Sequence, residues 1–207
     1  LRLPRSTLSY VRLLHSLIGL WRQEPALRRA TLTQALLFAS FSAFWTVLAF
    51  YLAEPAYGLG ADVAGLFGVI GVAGVVAAPL AGRMADRLGA RPVVLAGAVL
   101  VVLAWICFEL WLSLAGLACG VILLDLGVQS ALVAHQQHIY GLRAEARGRV
   151  NTLFMTGMFL GGTLGSSLAM LAWQQGGWVD VGWAGLALAL TACLAALAGK
   201  RSLQPAS

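Results

Sequence analysis

Asp125 places a carboxyl group in the middle of a long apolar run, and Gln129 follows one helical turn later on the same face. An ionised carboxylate is costly to hold in such surroundings, so Asp125 is expected to face a cavity or a polar partner. A group of this kind can bind and release a proton or contact a polar substrate. The alternative is structural: a protonated Asp125 that is hydrogen-bonded to Gln129 or to a neighbouring helix.

A second candidate set lies nearer the start of the chain, where Gln34, Phe41 and Trp45 approximate one face of a helix. Aromatic side chains on a polar-flanked face could form a wall for a lipophilic ligand. Aromatic residues that pack against other helices or face lipid are the favoured alternative.

Membrane-spanning helices are the elements that must position these residues. Of 207 residues, 60% are hydrophobic and 11% are charged, whereas about 25% are charged in a soluble domain. The uncharged runs are long enough for helices to cross a bilayer, and none alternates as a membrane β-strand does. The sequence therefore predicts an all-α polytopic membrane protein with six transmembrane helices, at 31–53, 63–82, 92–111, 113–134, 150–173 and 181–199.

The distribution of positive charge predicts how these helices are oriented. All 14 Lys and Arg residues lie before the first helix, between the second and third, between the fourth and fifth, or after the sixth. The positive-inside rule then places both termini in the cytoplasm. This topology accounts for the net charge of +6, and no basic face with interleaved aromatic residues predicts binding of nucleic acid.

Three parts of the chain are expected from this pattern. Residues 1–29 are predicted to be a cytoplasmic connector with an interfacial amphipathic helix, because apolar residues there recur at helical spacing. Residues 30–199 are predicted to form the transmembrane bundle, and 200–207 a cytoplasmic tail. The first residue is Leu rather than Met, and the connector-like start indicates a piece of a longer protein.

Other ionisable residues predict no further chemistry. His135 and His138 lie at the cytoplasmic end of the fourth predicted helix, without a third ligand at metal-binding spacing, and a solvated or headgroup-contacting pair is expected. Glu109, beside Trp105 and Trp111, is expected to extend to the membrane interface. No metal site, cofactor site, catalytic triad or nucleotide-binding loop is predicted, which argues against an enzyme.

The segment between the second and third predicted helices carries a recognisable motif. It resembles the G-x-x-x-D-R-x-G-R-R/K loop that follows the second helix of each six-helix half in the major facilitator superfamily, with matches at Gly82, Asp86, Arg87, Gly89 and Arg91. The glycines would permit a tight turn, and the arginines would hold the loop at the headgroups. The resemblance implies a conformational gating loop that stabilises the outward-facing state; the alternative is a basic topogenic turn without a gating role.

A second resemblance extends from Asp125 to Ser166, through the segments DLGVQ, RGRVNT and FLGGTLGS. These are similar to the tenth and eleventh helices of bacterial drug or metabolite efflux members of the same superfamily. Within this stretch Gly157, Gly161 and Gly165 recur every four residues, which lets helix backbones approach closely. The glycines are expected to pack either against a missing half or within this bundle.

The two resemblances together imply the C-terminal six-helix half of a twelve-helix secondary transporter in the bacterial inner membrane. Its implied activity is proton-coupled efflux of small molecules by alternating access. The implied partners are the lipid bilayer, an N-terminal six-helix half, a small-molecule substrate and protons, with no cofactor. The alternative is a free-standing six-helix membrane module that dimerises or binds a partner through its glycine faces.

Overall fold

A computed structural model describes the backbone of residues 10–198, and the side chains of that range except those of 10–14, 73–77 and 144. The first nine residues of the predicted connector and the predicted tail at 200–207 lie outside the described residues.

The described residues form helices and no strands, which confirms the all-α prediction. The helices are α1 (Tyr10–Gln23), α2 (Pro25–Ala53), α3 (Ala61–Leu88), α4 (Ala90–Leu110), α5 (Leu114–Leu142), a single 3₁₀ turn (Ala144–Ala146) and α6 (Arg147–Ala198). Of these, α2, α4, α5 and α6 are long and apolar enough to cross a membrane. Helix α3 contains a shorter apolar stretch, Ala61–Val72.

Helix α6 is interrupted where the sequence predicts a loop between two helices. Its 52 residues would be about 78 Å long if straight, more than twice the hydrocarbon core of a bilayer. Gly176 and Gly177 depart from helical geometry, and Gly177 has a φ of 63°, in the left-handed region that glycine adopts without a steric penalty. Residues 147–175 and 178–198 are therefore two helical arms, called here the first and second arms of α6.

The core joins α2, α4 and the second arm of α6 through aromatic side chains. Phe44 stacks on Phe108 with 4.3 Å between ring centroids, and Tyr51 stacks on Trp178 at 3.8 Å. The indole Nε1 of Trp105 donates to Ser40 Oγ at 2.6 Å, and all of these rings are buried. Offset and edge-on aromatic pairs stabilise such a core beyond the burial of their area.

Small residues set the remaining helix crossings. A Cβ on Gly161 or Gly165 would collide with the backbone of Ala35 or Ala39, so the first arm of α6 lies directly against α2. A Cβ on Gly97 or Gly127 would lie 2.5 Å from a carbonyl oxygen of the facing helix, so α4 and α5 approach equally closely. Glycine removes the side chain that would otherwise keep these backbones apart.

Candidate functional site

Asp125 lies on the face of α5 that contacts α3. Its side chain is 6% exposed, and a Cβ built on Gly71 of α3 would be 3.1 Å from Oδ2. The glycine therefore leaves the space that the carboxyl group occupies. Oδ2 is buried and has no hydrogen-bond partner among the described residues. A buried carboxyl group in this state requires a proton or an incoming polar ligand, because an unpaired charge there is very costly.

Gln129 does not serve as the hydrogen-bond partner of Asp125. It is half-buried one turn further along α5, and no hydrogen bond joins the two side chains in the described structure. The structural alternative of an Asp125–Gln129 hydrogen bond is therefore not the arrangement found.

Gln34 instead faces α5 at a different position. Its side chain is fully buried, with Oε1 lying 2.9 Å from Nδ1 of His135 and Nε2 lying 3.5 Å from the carbonyl oxygen of Val128. The ring of Phe154, from the first arm of α6, lies edge-on to His135 with 6.0 Å between centroids. Three helices thus meet at this imidazole.

The expectation that His135 is solvated is wrong, because its side chain is 7% exposed. His135 continues the buried stripe of α5 that includes Leu124, Val128 and Ala131, at intervals of three and four residues. That spacing is the signal in the sequence that could have identified it. His138, one turn later, is half-buried, and its Nε2 is buried without a partner among the described residues.

The aromatic residues predicted on α2 form a half-buried row. Phe41 stacks on Phe38 at 5.5 Å and lies 6.0 Å from Trp45, while Phe38 meets Phe159 of α6 edge-on. The indole Nε1 of Trp45 is buried and unpartnered within the described range. The row meets the first arm of α6 through Phe159, whereas Asp125 lies between α5 and α3.

The predicted gating loop is mostly helical, which corrects the expectation of a loop from Gly82 onward. Helix α3 continues to Leu88, and only Gly89, with a φ of 86°, makes the turn into α4. Gly82 lies inside the helix, where a Cβ would be 3.2 Å from Nε2 of Gln137. Its role in this fold is therefore close packing against α5, not turning the chain.

The charged residues of this motif divide by exposure. Arg91 donates from Nη2 to the carbonyl oxygen of Leu197 at 2.8 Å, which ties the start of α4 to the end of α6. Asp86 and Arg87 are exposed, and neither forms an ion pair with another described residue. Their charged groups are thus free to contact a neighbouring molecule or segment.

Glu109 lies one residue before the end of α4. It is half-buried and its carboxylate contacts Gly182 of the second arm of α6, with Oε1 buried and unpartnered among the described residues. The missing side chain of Gly182 leaves the space that this carboxylate occupies, and the interfacial position of Glu109 stays a prediction. Within the described residues, no group of three or more His, Cys, Asp or Glu side chains could hold a metal ion.

Comparison with known proteins identifies the class. Residues 30–206 match the family model of the Major Facilitator Superfamily, so the chain belongs to this superfamily of membrane transporters. It is 37% identical over 186 residues to the "Uncharacterized transporter YgaY" of Escherichia coli O157:H7, covering 88% of this chain and 47% of that protein. It is 38% identical over 167 residues to the "Probable transporter SCO4007" of Streptomyces coelicolor, covering 79% of this chain and 38% of that protein. The chain therefore spans about half the length, or less, of the curated relatives it matches.

Proposed function

We propose that this chain is the C-terminal six-helix half of a proton-coupled efflux transporter of small molecules, located in the bacterial inner membrane with both termini cytoplasmic. Its share of 47% of a transporter-named relative supports a half-length unit. The two arms of α6, together with α2, α3, α4 and α5, provide six helical segments for such a half. Transport then proceeds by movement of this half against an N-terminal half around a central site.

The observation that carries the proposal is the buried, unpartnered carboxyl group of Asp125 against Gly71. Protonated, it fits between α3 and α5 without a charge to solvate. When the O–H bond breaks and the proton passes to water, the carboxylate requires hydration or a cationic or hydrogen-bonding ligand. Loss of the proton therefore favours an arrangement in which Asp125 reaches water or a polar ligand, and this links proton release to conformation.

Two further features support an alternating-access cycle. Asp86 and Arg87 are exposed at the end of α3, and they provide the charges of a latch to the N-terminal half. The row of Phe38, Phe41 and Trp45 provides an aromatic wall that suits a lipophilic substrate.

The alternative is a free-standing module that dimerises through its glycine faces. Gly161 and Gly165 are buried against α2 of the same chain and are not available to a second copy, whereas Gly65 and Gly68 of α3 are exposed. The half-length match to a transporter-named relative favours the half-transporter over this module.

The test is Asp125→Asn in the complete transporter, reconstituted in proteoliposomes with a lipophilic fluorescent dye as the transported probe. Asn has nearly the same volume but binds no proton in this range. We expect pH-gradient-driven accumulation of the dye to be lost while its downhill exchange persists. Glu109→Gln, which neutralises a half-buried carboxyl group on α4, is the matched control and should leave driven transport in place. Undiminished driven transport by Asp125→Asn would show that Asp125 has a packing role and no role in proton coupling.

A further inference from the structure

A second cluster of polar side chains is buried on a neighbouring face of α5, between α5, α2 and α6. It consists of the His135–Gln34 pair, with Thr31 one turn before Gln34 and His138 one turn after His135. The hydroxyl of Thr31 and Nε2 of His138 are buried without partners in the described structure. Unsatisfied polar atoms are expensive inside a membrane, and ionisable residues there are usually retained for function.

The contacts of Gln34 define which ring nitrogen of His135 carries the proton when the ring is neutral. Because the amide nitrogen of Gln34 points to the Val128 carbonyl, its Oε1 is the atom that faces the imidazole. Oε1 can only accept, so Nδ1 of His135 donates the proton of this hydrogen bond. In the neutral ring the lone pair is then on Nε2, and Nε2 is the atom that would take an added proton.

The surroundings of His135 do not stabilise an imidazolium in place. Helix α2 presents the neutral amide of Gln34, and α6 presents the apolar ring of Phe154. His138 lies one turn further along α5, where a second protonated imidazole would repel the first. No carboxylate pairs with His135 among the described residues. A proton therefore stays on Nε2 only when water reaches the ring.

We infer that His135 is a second proton-binding group of the transport cycle, and that its protonation is coupled to separation of α2 from α5 near their cytoplasmic ends. This inference rests on the proposed function. His135 lies ten residues beyond Asp125, about 15 Å along the helix axis, and faces α2, not α3. A proton from cytoplasmic water bonds to Nε2 as the helices open, and it returns to water as they close and Gln34 again holds the neutral ring.

The test measures the distance between α2 and α5 by electron-spin resonance, using this 207-residue chain paired with a cysteine-free N-terminal half, in nanodiscs with one transporter per disc. Spin labels are attached at Leu32, which is 57% exposed, and at Gly141, where a Cβ would meet no atom within 4 Å. The three native cysteines are first replaced by alanine: Cys107, Cys119 and Cys193. The distance is followed as the pH falls from about 8 to about 5, the range in which histidine changes charge.

His135→Asn is the decisive variant, because the Asn amide can still donate to Gln34 Oε1 but has no imidazole to protonate. We expect the wild-type distance to lengthen on acidification and the His135→Asn distance to stay constant. The comparison variant His138→Asn should still lengthen, with a midpoint at the same or a higher pH, because a charge that would repel the His135 imidazolium is gone. In ¹⁵N-histidine spectra the His135 signal should change from the neutral to the charged form with the same midpoint as the distance.

A constant wild-type distance would overturn the inference. Lengthening in His135→Asn would overturn it too, if the midpoint of that variant lies within about one pH unit of the wild-type midpoint. Lengthening that is lost in His138→Asn but kept in His135→Asn would overturn it as well. Neither measurement uses a substrate or a proton gradient, so a failure here leaves the Asp125 result standing, and a failure of Asp125→Asn leaves this measurement unaffected.

Discussion

At the scale of single residues, the chemistry of the chain depends on which neighbour each polar side chain meets. Asp125 and His135 lie on the same helix, but Asp125 faces a glycine of α3 whereas His135 faces an amide of α2. The first has an oxygen without a partner, and the second is held by a hydrogen bond of 2.9 Å. Two titratable groups on one helix are thereby placed in different surroundings.

Gly71 provides a direct test of how tightly Asp125 is held. In Gly71→Val the new side chain enters the space of the carboxyl group, and we expect a loss of about 1–3 kcal/mol in stability from overpacking. Gly68→Val, one turn earlier on α3 where a Cβ meets nothing within 4 Å, is the control and should change stability little. Thermal unfolding in detergent, followed by tryptophan fluorescence, measures both. Equal losses in the two variants would contradict the close contact between Gly71 and Asp125.

The sequence was sufficient to name Asp125 as a candidate, because an ionised carboxylate within an apolar run is energetically costly and is therefore rare there. It could not select Gly71 as its neighbour, since helix periodicity gives the faces of one helix but not which helix covers each face. His135 is the opposite case, in which the residue type and the spacing along the helix lead to different predictions. Its residue type suggests solvent at the end of a helix, while its spacing from Val128 and Ala131 places it on the buried stripe.

At the scale of the elements, glycines determine where helices approach and where they break. Gly161 and Gly165 bring the first arm of α6 against α2, while Gly176 and Gly177 divide α6 into its two arms. The predicted gating loop is helical through Leu88, because Gly89 is the residue whose backbone conformation ends α3. Hydropathy detects where charge interrupts an apolar run, but a helix continues through charged residues that remain exposed.

The α2–α6 crossing predicts a large effect for one substitution. In Gly161→Val the side chain would collide with the Ala35 backbone, which cannot move aside as a flexible side chain can. We expect a loss of about 3 kcal/mol or more, at the upper end of overpacking effects. Gly148→Val in the same helix, where a Cβ meets no atom within 4 Å, is the control. The temperature at which monomeric protein disappears from size-exclusion profiles measures the difference, and matching temperatures for both variants would disprove the close crossing.

At the scale of the whole molecule, the chain is a helical bundle with exposed charged groups whose partners a second unit could provide. Asp86 and Arg87 are exposed at the end of α3 without a charged partner among the described residues. The aromatic row on α2 is only half-buried, and Phe159 of α6 beside it is exposed. A site shared between two halves would complete the contacts that these groups lack, and half of its specificity would then come from the other half.

Reconstitution of separate halves measures whether this chain supplies one half of a proton-driven transporter, as we propose. Proteoliposomes are prepared with residues 1–207 alone and with a separately expressed N-terminal half, and pH-gradient-driven flux of a lipophilic fluorescent dye is measured in both. We expect driven flux when the two halves are present and none from the lone chain, because alternating access needs a second half to move against. Driven flux from the lone chain as a monomer would contradict the account.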